Sequence, residues 1–317
     1  MKVISKNEIL AVLKKSDYDE LIENQEAGFV AYSEGKTCIP EVGHLYFDQP
    51  PGDCHIKYGY IKGETTFSIK VSTGFYENYL TGLPNGNGLT LVFSQNTGAL
   101  EAILLDEGHL TDLRTAIAGA ISAKYLAPKK LTCIGVVGTG AQARLQLEWL
   151  SYVTGCQKAM ISGRNPERVS RFCQEVAIPL EAVSAQSTSE LAQSCELIVC
   201  CTASKNPVLF AKDIRPGTHI IAVGADGNGK QELEPEIINR ADICTVDSLS
   251  QCLLYGDSSY SNRNKADFIE LGEIIKSPSL GRTSDSQITL SDLTGVAVQD
   301  IQVAQYVIGK ISAHSLL

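Results

Sequence analysis

The chain has no basic excess. Its net charge is −9 over 317 residues, and an acidic surface repels a phosphate backbone, so nucleic acid is not an expected partner. No apolar run approaches the roughly 20 residues that a membrane span requires. Nor does a charged start lead into an apolar leader segment. The expectation is a cytoplasmic protein without a membrane partner. Ten cysteines are present, yet they form no CxxC pair and no spacing that assembles a tetrahedral metal site. No metal is expected. Cys200 and Cys201 in ELIVCCTA lie inside an apolar run, where cysteine behaves as a small core residue. Internal repeats and low-complexity segments are absent too. What remains is a chain that is 44% hydrophobic and long enough for two ordinary cores.

Two textures divide it. Up to about residue 111, the runs CHIKYGYI, TFSIKVSTGFY and GLTLVFS are short, β-branched and aromatic, with Gly, Asn and Pro between them. They read as antiparallel strands of an α+β domain. LTDLRTAIAGAISAKYLA then shows helical spacing and stops at LAPKK, predicting a connecting helix. From residue 131, apolar strand candidates alternate with helical ones: LTCIGVV, a helix from residue 141, KAMIS, PERVSRFCQEV, ELIVCC, THIIAVG, PEIINRA and DICTVD. That alternation predicts an α/β doubly wound parallel sheet with helices on both faces. In GVAVQDIQVAQYVIGKISAH, Ile301, Ala304, Ile308 and Ile311 share a helical face, predicting a last helix that returns to the first domain.

The stretch GVVGTGAQ sharpens this reading. Gly138, Gly140 and Ala143 stand at the spacing G-x-G-x-x-[GA], directly after an apolar strand and at the start of a helix. The first glycine permits the tight turn, the second lets backbone approach a pyrophosphate, and the small third residue allows close helix-to-strand packing. A ligand-free glycine turn has the same composition; the βαβ context favours the dinucleotide. NAD sites usually carry an acid about 20 residues further on for the ribose 2′-OH. Here Ser162, Gly163, Arg164 and Asn165 occupy that place. The planar fork of Arg164 suits a 2′-phosphate, so NADP(H) is the preferred cofactor and NAD(H) the alternative. Arg168 receives no role.

Six blocks resemble the ornithine cyclodeaminase/mu-crystallin family, in matching order from about residue 55: LLDEGHLTDLRTAIAGAISAKYLAP, GVVGTGAQARLQL, VGADGNGKQELEPEI, VDSLSQCLLYGD, LGEII and LTGVAVQDIQVA. The resemblance implies a homodimer. It also implies a Rossmann-type NAD(P)-binding domain of residues 115–295, inserted in a substrate-binding and dimerisation domain of residues 1–114 completed by 296–317. Members act on C=N bonds, and HIKYGY and FYENYLTGLPNGNGL look most like the branch that reduces 1-pyrroline-2-carboxylate to proline. A cyclic imino acid is therefore the expected substrate, with the six-membered 1-piperideine-2-carboxylate as a homologue. Ornithine cyclodeaminase, and a non-catalytic nucleotide-binding protein of the mu-crystallin type, are the alternatives.

Lys70 interrupts an apolar-alternating strand, where a lysine is unusual unless its charge has a partner. The resemblance turns it toward the substrate, as carboxylate ligand or imine partner, against the alternative of a water-facing strand residue. Lys57 has the same ambiguity, more strongly, because Tyr58 and Tyr60 alternate with it in a plausibly half-exposed strand. Arg114 breaks the rhythm of a helix that reads as buried, and a buried arginine needs an anion. The resemblance puts it beside nicotinamide and substrate carboxylate; a salt bridge to Asp112 or Asp106 is the alternative. Asp226 follows a central strand at its carboxyl end, where open α/β sheets place ligands. A carboxylate there can hold the proton that imine nitrogen needs, although an Asx-turn acid fits the composition equally. Lys230 and Glu232 read as capping or ion-pair residues of the following helix, and His55 and His109 as structural histidines. The expected cofactor set is Gly138, Thr139, Gly140, Ala141, Gln142, Ser162, Gly163, Arg164, Asn165, Thr202, Ala203, Gly224 and Arg114.

Overall fold

The β-branched runs of the first third of the chain pair into a seven-stranded sheet. The computed structural model describes residues 1–314. It separates into two units, Met1–Arg114 with the segment from Val296 onward, and Thr115–Gly295. The first unit begins with β1 (Lys2–Ser5), α1 (Lys6–Val12) and α2 (Tyr18–Ser33). Its other strands are β2 (Thr37–Cys38), β3 (Gly43–Asp48), β4 (Pro51–Ile61), β5 (Thr66–Phe75), β6 (Gly86–Ser94) and β7 (Leu100–Leu105). Strands β4 to β7 form antiparallel neighbours, as their turn-bounded runs predict, whereas β1 pairs parallel with β7. Order along the sheet is β1-β7-β6-β5-β4-β2, with β3 on β4.

The final helix, Ala297–His314, packs on α2, β4 and β5. Ile301 and Ala304 are buried as its periodicity predicts, but Ile308 and Ile311 are only half-buried and Val307 takes the buried place. Its first turns are buried all round, from Val296 through Ala304. A single apolar stripe cannot describe a helix enclosed on every side.

The β4–β6 sheet reverses the usual segregation of side chains. Thr66, Ser68, Lys70, Thr90 and Ser94 are buried, and Gln305 of the final helix donates to Thr66 Oγ1 at 3.0 Å. Phe67, Ile69, Leu91 and Phe93, the residues between them, are half-exposed on the other face. Period-two alternation survives, with polar groups inward.

Helix α3 (His109–Leu126) contains the division between the units. The second unit then runs β8 (Ile134–Val137), α4 (Ala141–Thr154), β9 (Lys158–Ser162), α5 (Pro166–Glu175), β10 (Glu181–Ser184), α6 (Thr188–Ser194), β11 (Leu197–Cys200) and β12 (His219–Ala222). It continues through α7 (Pro235–Arg240), β13 (Ile243–Val246), α8 (Leu249–Tyr255), β14 (Phe268–Glu270), α9 (Leu271–Lys276) and β15 (Thr289–Asp292). All pairings are parallel, in the order β10-β9-β8-β11-β12-β15-β13-β14. Strands β8, β11, β12 and β13 are buried at every residue, which is why they read as unbroken apolar runs. Strand order reverses between β8 and β11, creating a crevice at the carboxyl ends of the two strands. No helix among the described residues is long and apolar enough to cross a membrane.

Candidate functional site

At the β8/β11 crevice the second unit has a cleft of about 640 Å³. Its lining includes Gly138, Thr139, Gly140, Gly163, Arg164, Asn165, Thr202 and Ala203, with Arg168, Ser204, Lys205 and Asn206. Gly138 has φ +133°, and a Cβ there would meet the Cys201 carbonyl oxygen at 2.9 Å. Only glycine makes that turn. A Cβ on Gly140 would meet nothing within 4 Å, so backbone at the N-cap of α4 borders open space, and the unpaired N–H groups of the first turn favour an anion. Ala143 is fully buried, as close packing of α4 on the sheet demands. Asn165 caps α5, accepting the Arg168 N–H at 3.0 Å, and Pro166 follows it in the first turn. That cap directs the chain out of β9 and leaves Arg164 exposed.

Five of the expected cofactor residues, Ala141, Gln142, Ser162, Gly224 and Arg114, are not among those lining this cleft. Ser162 bonds Thr188 through its hydroxyl at 3.1 Å, Gln142 accepts from Gln146 at 3.4 Å, and Gly224 N–H donates to Glu232 at 2.7 Å. Ala141 is exposed at the start of α4. Arg168 and Lys205, which received no role from the sequence, do line the cleft.

Lys57, Lys70 and Arg114 come together in the first unit. Lys57 and Lys70 face each other directly across β4 and β5, and all three cations are at most 5% exposed. The half-exposed strand anticipated for Lys57 is thus turned over: Tyr58 and Tyr60 stand outward and the lysine inward. Lys70 Nζ donates to Asp300 Oδ1 at 3.0 Å, and Arg114 Nε donates to the same oxygen at 3.2 Å. The salt bridge of Arg114 is therefore to Asp300, not to Asp112 or Asp106. Gln299 orients the guanidinium further, accepting from Nη1 at 3.4 Å while its amide donates to the Arg114 carbonyl at 3.1 Å. Asp300 Oδ2 is buried and accepts no hydrogen bond among the described residues. Burial pushes Lys70 down to about 7, and the Arg114 and Lys57 charges push the same way against Asp300. Burial would raise the Asp300 carboxyl, but Lys70, Arg114 and Lys57 hold it below the ordinary range.

Asp300 pairs with both Lys70 and Arg114, and the buried Asp106 lies within electrostatic reach of Lys70 and Asp300. A buried cluster of cations is a place where an anion can be held by charge-assisted bonds. Asp300 was missed because helix periodicity was read for its apolar members. The signal was present, since VAVQDIQVA sets an acid inside an otherwise apolar stretch.

Asp226 lies in the loop beyond β12, half-buried, with its Oδ1 accepting from Lys230 Nζ at 2.7 Å. Lys230 is therefore an ion pair within that loop, not a partner of the following helix, whose N-cap is Glu234. Glu232 is fully buried and faces backward to Thr202 and Gly224. His55 is buried beside Asp53, with Nε2 at 3.8 Å from Oδ1. Burial pushes His109 below its ordinary value.

A wholly parallel sheet, a glycine turn at its first strand and a cleft at the reversal of strand order define a Rossmann-type dinucleotide fold. The chain belongs to the ornithine cyclodeaminase/mu-crystallin family, whose model matches residues 4–315. An uncharacterized cyclodeaminase of Sinorhizobium fredii is 34% identical, covering 96% of this chain and 94% of its own. The solved Delta(1)-pyrroline-2-carboxylate reductase of Thermococcus litoralis, in complex with NADH and L-proline, has a TM-score of 0.92 at 27% identity, covering 99% of this chain and 98% of its own. An archaeal alanine dehydrogenase dimer with bound NAD has a TM-score of 0.88 at 31% identity, covering 99% and 97%. The family and the fold class anticipated from the sequence are both borne out.

Proposed function

We propose that this protein is an NAD(P)H-dependent reductase of cyclic imino acids that converts 1-pyrroline-2-carboxylate to L-proline, and 1-piperideine-2-carboxylate to L-pipecolate. The observation that carries this reading is the buried cluster of Lys57, Lys70 and Arg114 gathered at Asp300. The planar guanidinium and the two ammonium groups hold the carboxylate of a small substrate anion. Asp300 positions Lys70 and Arg114 by accepting from both.

Gly138, Gly140 and the first turn of α4 fit a dinucleotide pyrophosphate, because glycine alone permits the turn and open space lies beside the helix N-terminus. The cleft lining carries Arg164, Arg168 and Lys205 and no carboxylate among the described residues, which suits a 2′-phosphate and makes NADPH the preferred donor. When bound, the nicotinamide supplies hydride to the imine carbon. The nitrogen needs one proton for the product amine. Asp226 is assigned to hold it, with Lys230 keeping the carboxylate oriented in its loop.

The outer face of the first unit's sheet supports a homodimer, as in the archaeal alanine dehydrogenase. Tyr58, Tyr60, Phe67, Ile69, Leu91 and Phe93 leave an apolar surface partly in water, and a second copy would cover it.

Steady-state oxidation of NADPH and NADH with pyrroline and piperideine 2-carboxylates tests the reading, alongside ammonia release from L-ornithine. Turnover of a cyclic imine is the expected result. Ammonia release without net NADPH consumption would assign the chain to cyclodeamination instead.

A further inference from the structure

At and beyond the carboxyl ends of β12, β13 and β15, Glu232, Asp247, Asp257 and Asp292 are at most 1% exposed. None of them has a part in the proposed reaction. Glu232 differs from the others in what it holds. Its Oε1 accepts from the Thr202 N–H at 2.5 Å and from Thr202 Oγ1 at 2.7 Å, and its Oε2 accepts from the Gly224 N–H at 2.7 Å. Thr202 lines the nucleotide cleft, and Gly224 lies two residues before Asp226. One carboxylate thus ties the cleft wall to the loop that carries the assigned proton holder. The two segments touch where it grips them: a Cβ on Gly224 would lie 2.0 Å from the Thr202 carbonyl oxygen.

Glu232 is itself held from behind. Asp257 Oδ1 accepts from the N–H groups of Glu232 at 2.8 Å and Leu233 at 2.9 Å, and Asp292 accepts from the Ser258 N–H at 2.8 Å. The strands leading into these loops are neighbours, with the Val223 N–H donating to the Cys200 carbonyl at 3.0 Å, and beyond that last backbone bond the Glu232 side chain joins Thr202 to Gly224. A carboxylate buried without a cation is unfavourable for folding, and only its charge-assisted bonds offset that.

We propose that Glu232 is a positioning residue of the nucleotide site: its carboxylate clamps Thr202 to Gly224 in the nucleotide-binding geometry, and protonation loosens the clamp. The proposal rests on the nucleotide reading above. Burial pushes the Glu232 carboxyl up to about 7, opposed by the bonds from Thr202 and Gly224 and reinforced by Asp226. The other ionisable groups facing it are Asp257, also pushed up to about 7 by burial and then by Glu232, the buried thiol of Cys200 at the end of β11 and the half-buried thiol of Cys201 just after it. A protonated carboxyl can still donate its O–H to the Thr202 hydroxyl, but the bonds it accepts from the Thr202 and Gly224 N–H groups are no longer charge-assisted, so the clamp weakens.

Fluorescence titration with NADPH and with NADH, from pH 6 to pH 8.5, compares wild type with Glu232→Gln after circular dichroism has established that both are folded. The variant is expected to bind about 10-fold more weakly at pH 8.5, the scale of one charge-assisted bond, and within about two-fold of wild type at pH 6, where the wild-type group is itself neutral. A ratio that stays constant with pH overturns the proposal, as does tighter binding by the variant at pH 8.5. Wild-type protein that binds neither nucleotide overturns the nucleotide reading, and the clamp with it. If Glu232→Gln does not fold, Thr202→Val decides. It deletes a bond that favours the ionised form, so the midpoint of the pH dependence of NADH binding moves upward; an unmoved midpoint overturns the clamp.

Discussion

Carboxylate binding should weaken as pH rises through neutrality. Lys70 is fully buried beside Arg114 and Lys57 and sits at about 7 in the free protein. Its charge is lost above that value. If the substrate carboxylate requires charged Lys70, its affinity falls about tenfold per pH unit above the midpoint, roughly 100-fold by pH 9. Pyrrole-2-carboxylate is a suitable probe, since its ring nitrogen does not titrate in this range and imine protonation cannot contribute. Its dissociation constant, measured by calorimetry at saturating nucleotide from pH 6 to 9, should be flat below about 6 and rise steadily above 7. Lys70→Met should bind weakly at every pH, with the slope removed. A flat wild-type profile, or the full slope in Lys70→Met, would refute the assignment of Lys70 to the carboxylate. Stability carries the opposite sign. The folded value lies below the 10.5 of an ordinary lysine, so the unfolded chain binds more protons between about 7 and 10.5. Lys70's contribution is complete above 10.5 and is lost as pH falls to about 7.

Other perturbations separate the remaining roles. Arg164→Ala should weaken NADPH binding by about 1–3 kcal/mol and leave NADH nearly unchanged; equal losses for both would show that Arg164 does not read a 2′-phosphate. Asp226→Asn should lower kcat on the order of 10²- to 10⁴-fold with little change in nucleotide affinity, and a variant with wild-type kcat would make Asp226 a loop-forming acid. Asp300→Ala leaves Lys70 and Arg114 buried against each other, so thermal or urea unfolding should register a loss of about 3–5 kcal/mol. Unchanged stability would show that the pair is dispensable. Ile69→Asp, on the outer sheet face, should shift light-scattering mass from dimer to monomer while the monomer remains folded; an unaltered mass would put the interface elsewhere.

The alternation of strands and helices after residue 131 was readable because parallel strands are enclosed on both faces. IGVV, LIVC and HIIA carry that enclosure in their composition. Strand β15 escaped for the converse reason. Its residues Thr289, Leu290, Ser291 and Asp292 are mostly polar, yet it lies between β12 and β13 and is buried throughout. Thr289 Oγ1 donates to the Leu126 carbonyl at 3.0 Å, and Asp292 receives the Ser258 N–H. Partners distant in sequence satisfy those polar groups, and no local pattern announces them. Strands β4 and β5 were located correctly as strands, but their buried face could not be told from periodicity, which has the same period whichever side is covered.

The sequence by itself determined the family, the Rossmann-type sheet and the glycine turn, because each rests on residues close together in the chain: apolar runs, helix caps and a spacing of six residues. Tertiary structure alone decided which charges meet. Lys57, Lys70, Arg114 and Asp300 come from two strands and two helices, and Glu232 reaches Thr202 across 30 residues. Their chemistry follows from shared burial, where a neighbour's charge outweighs solvent, and burial is a property of the packed chain that no local segment contains.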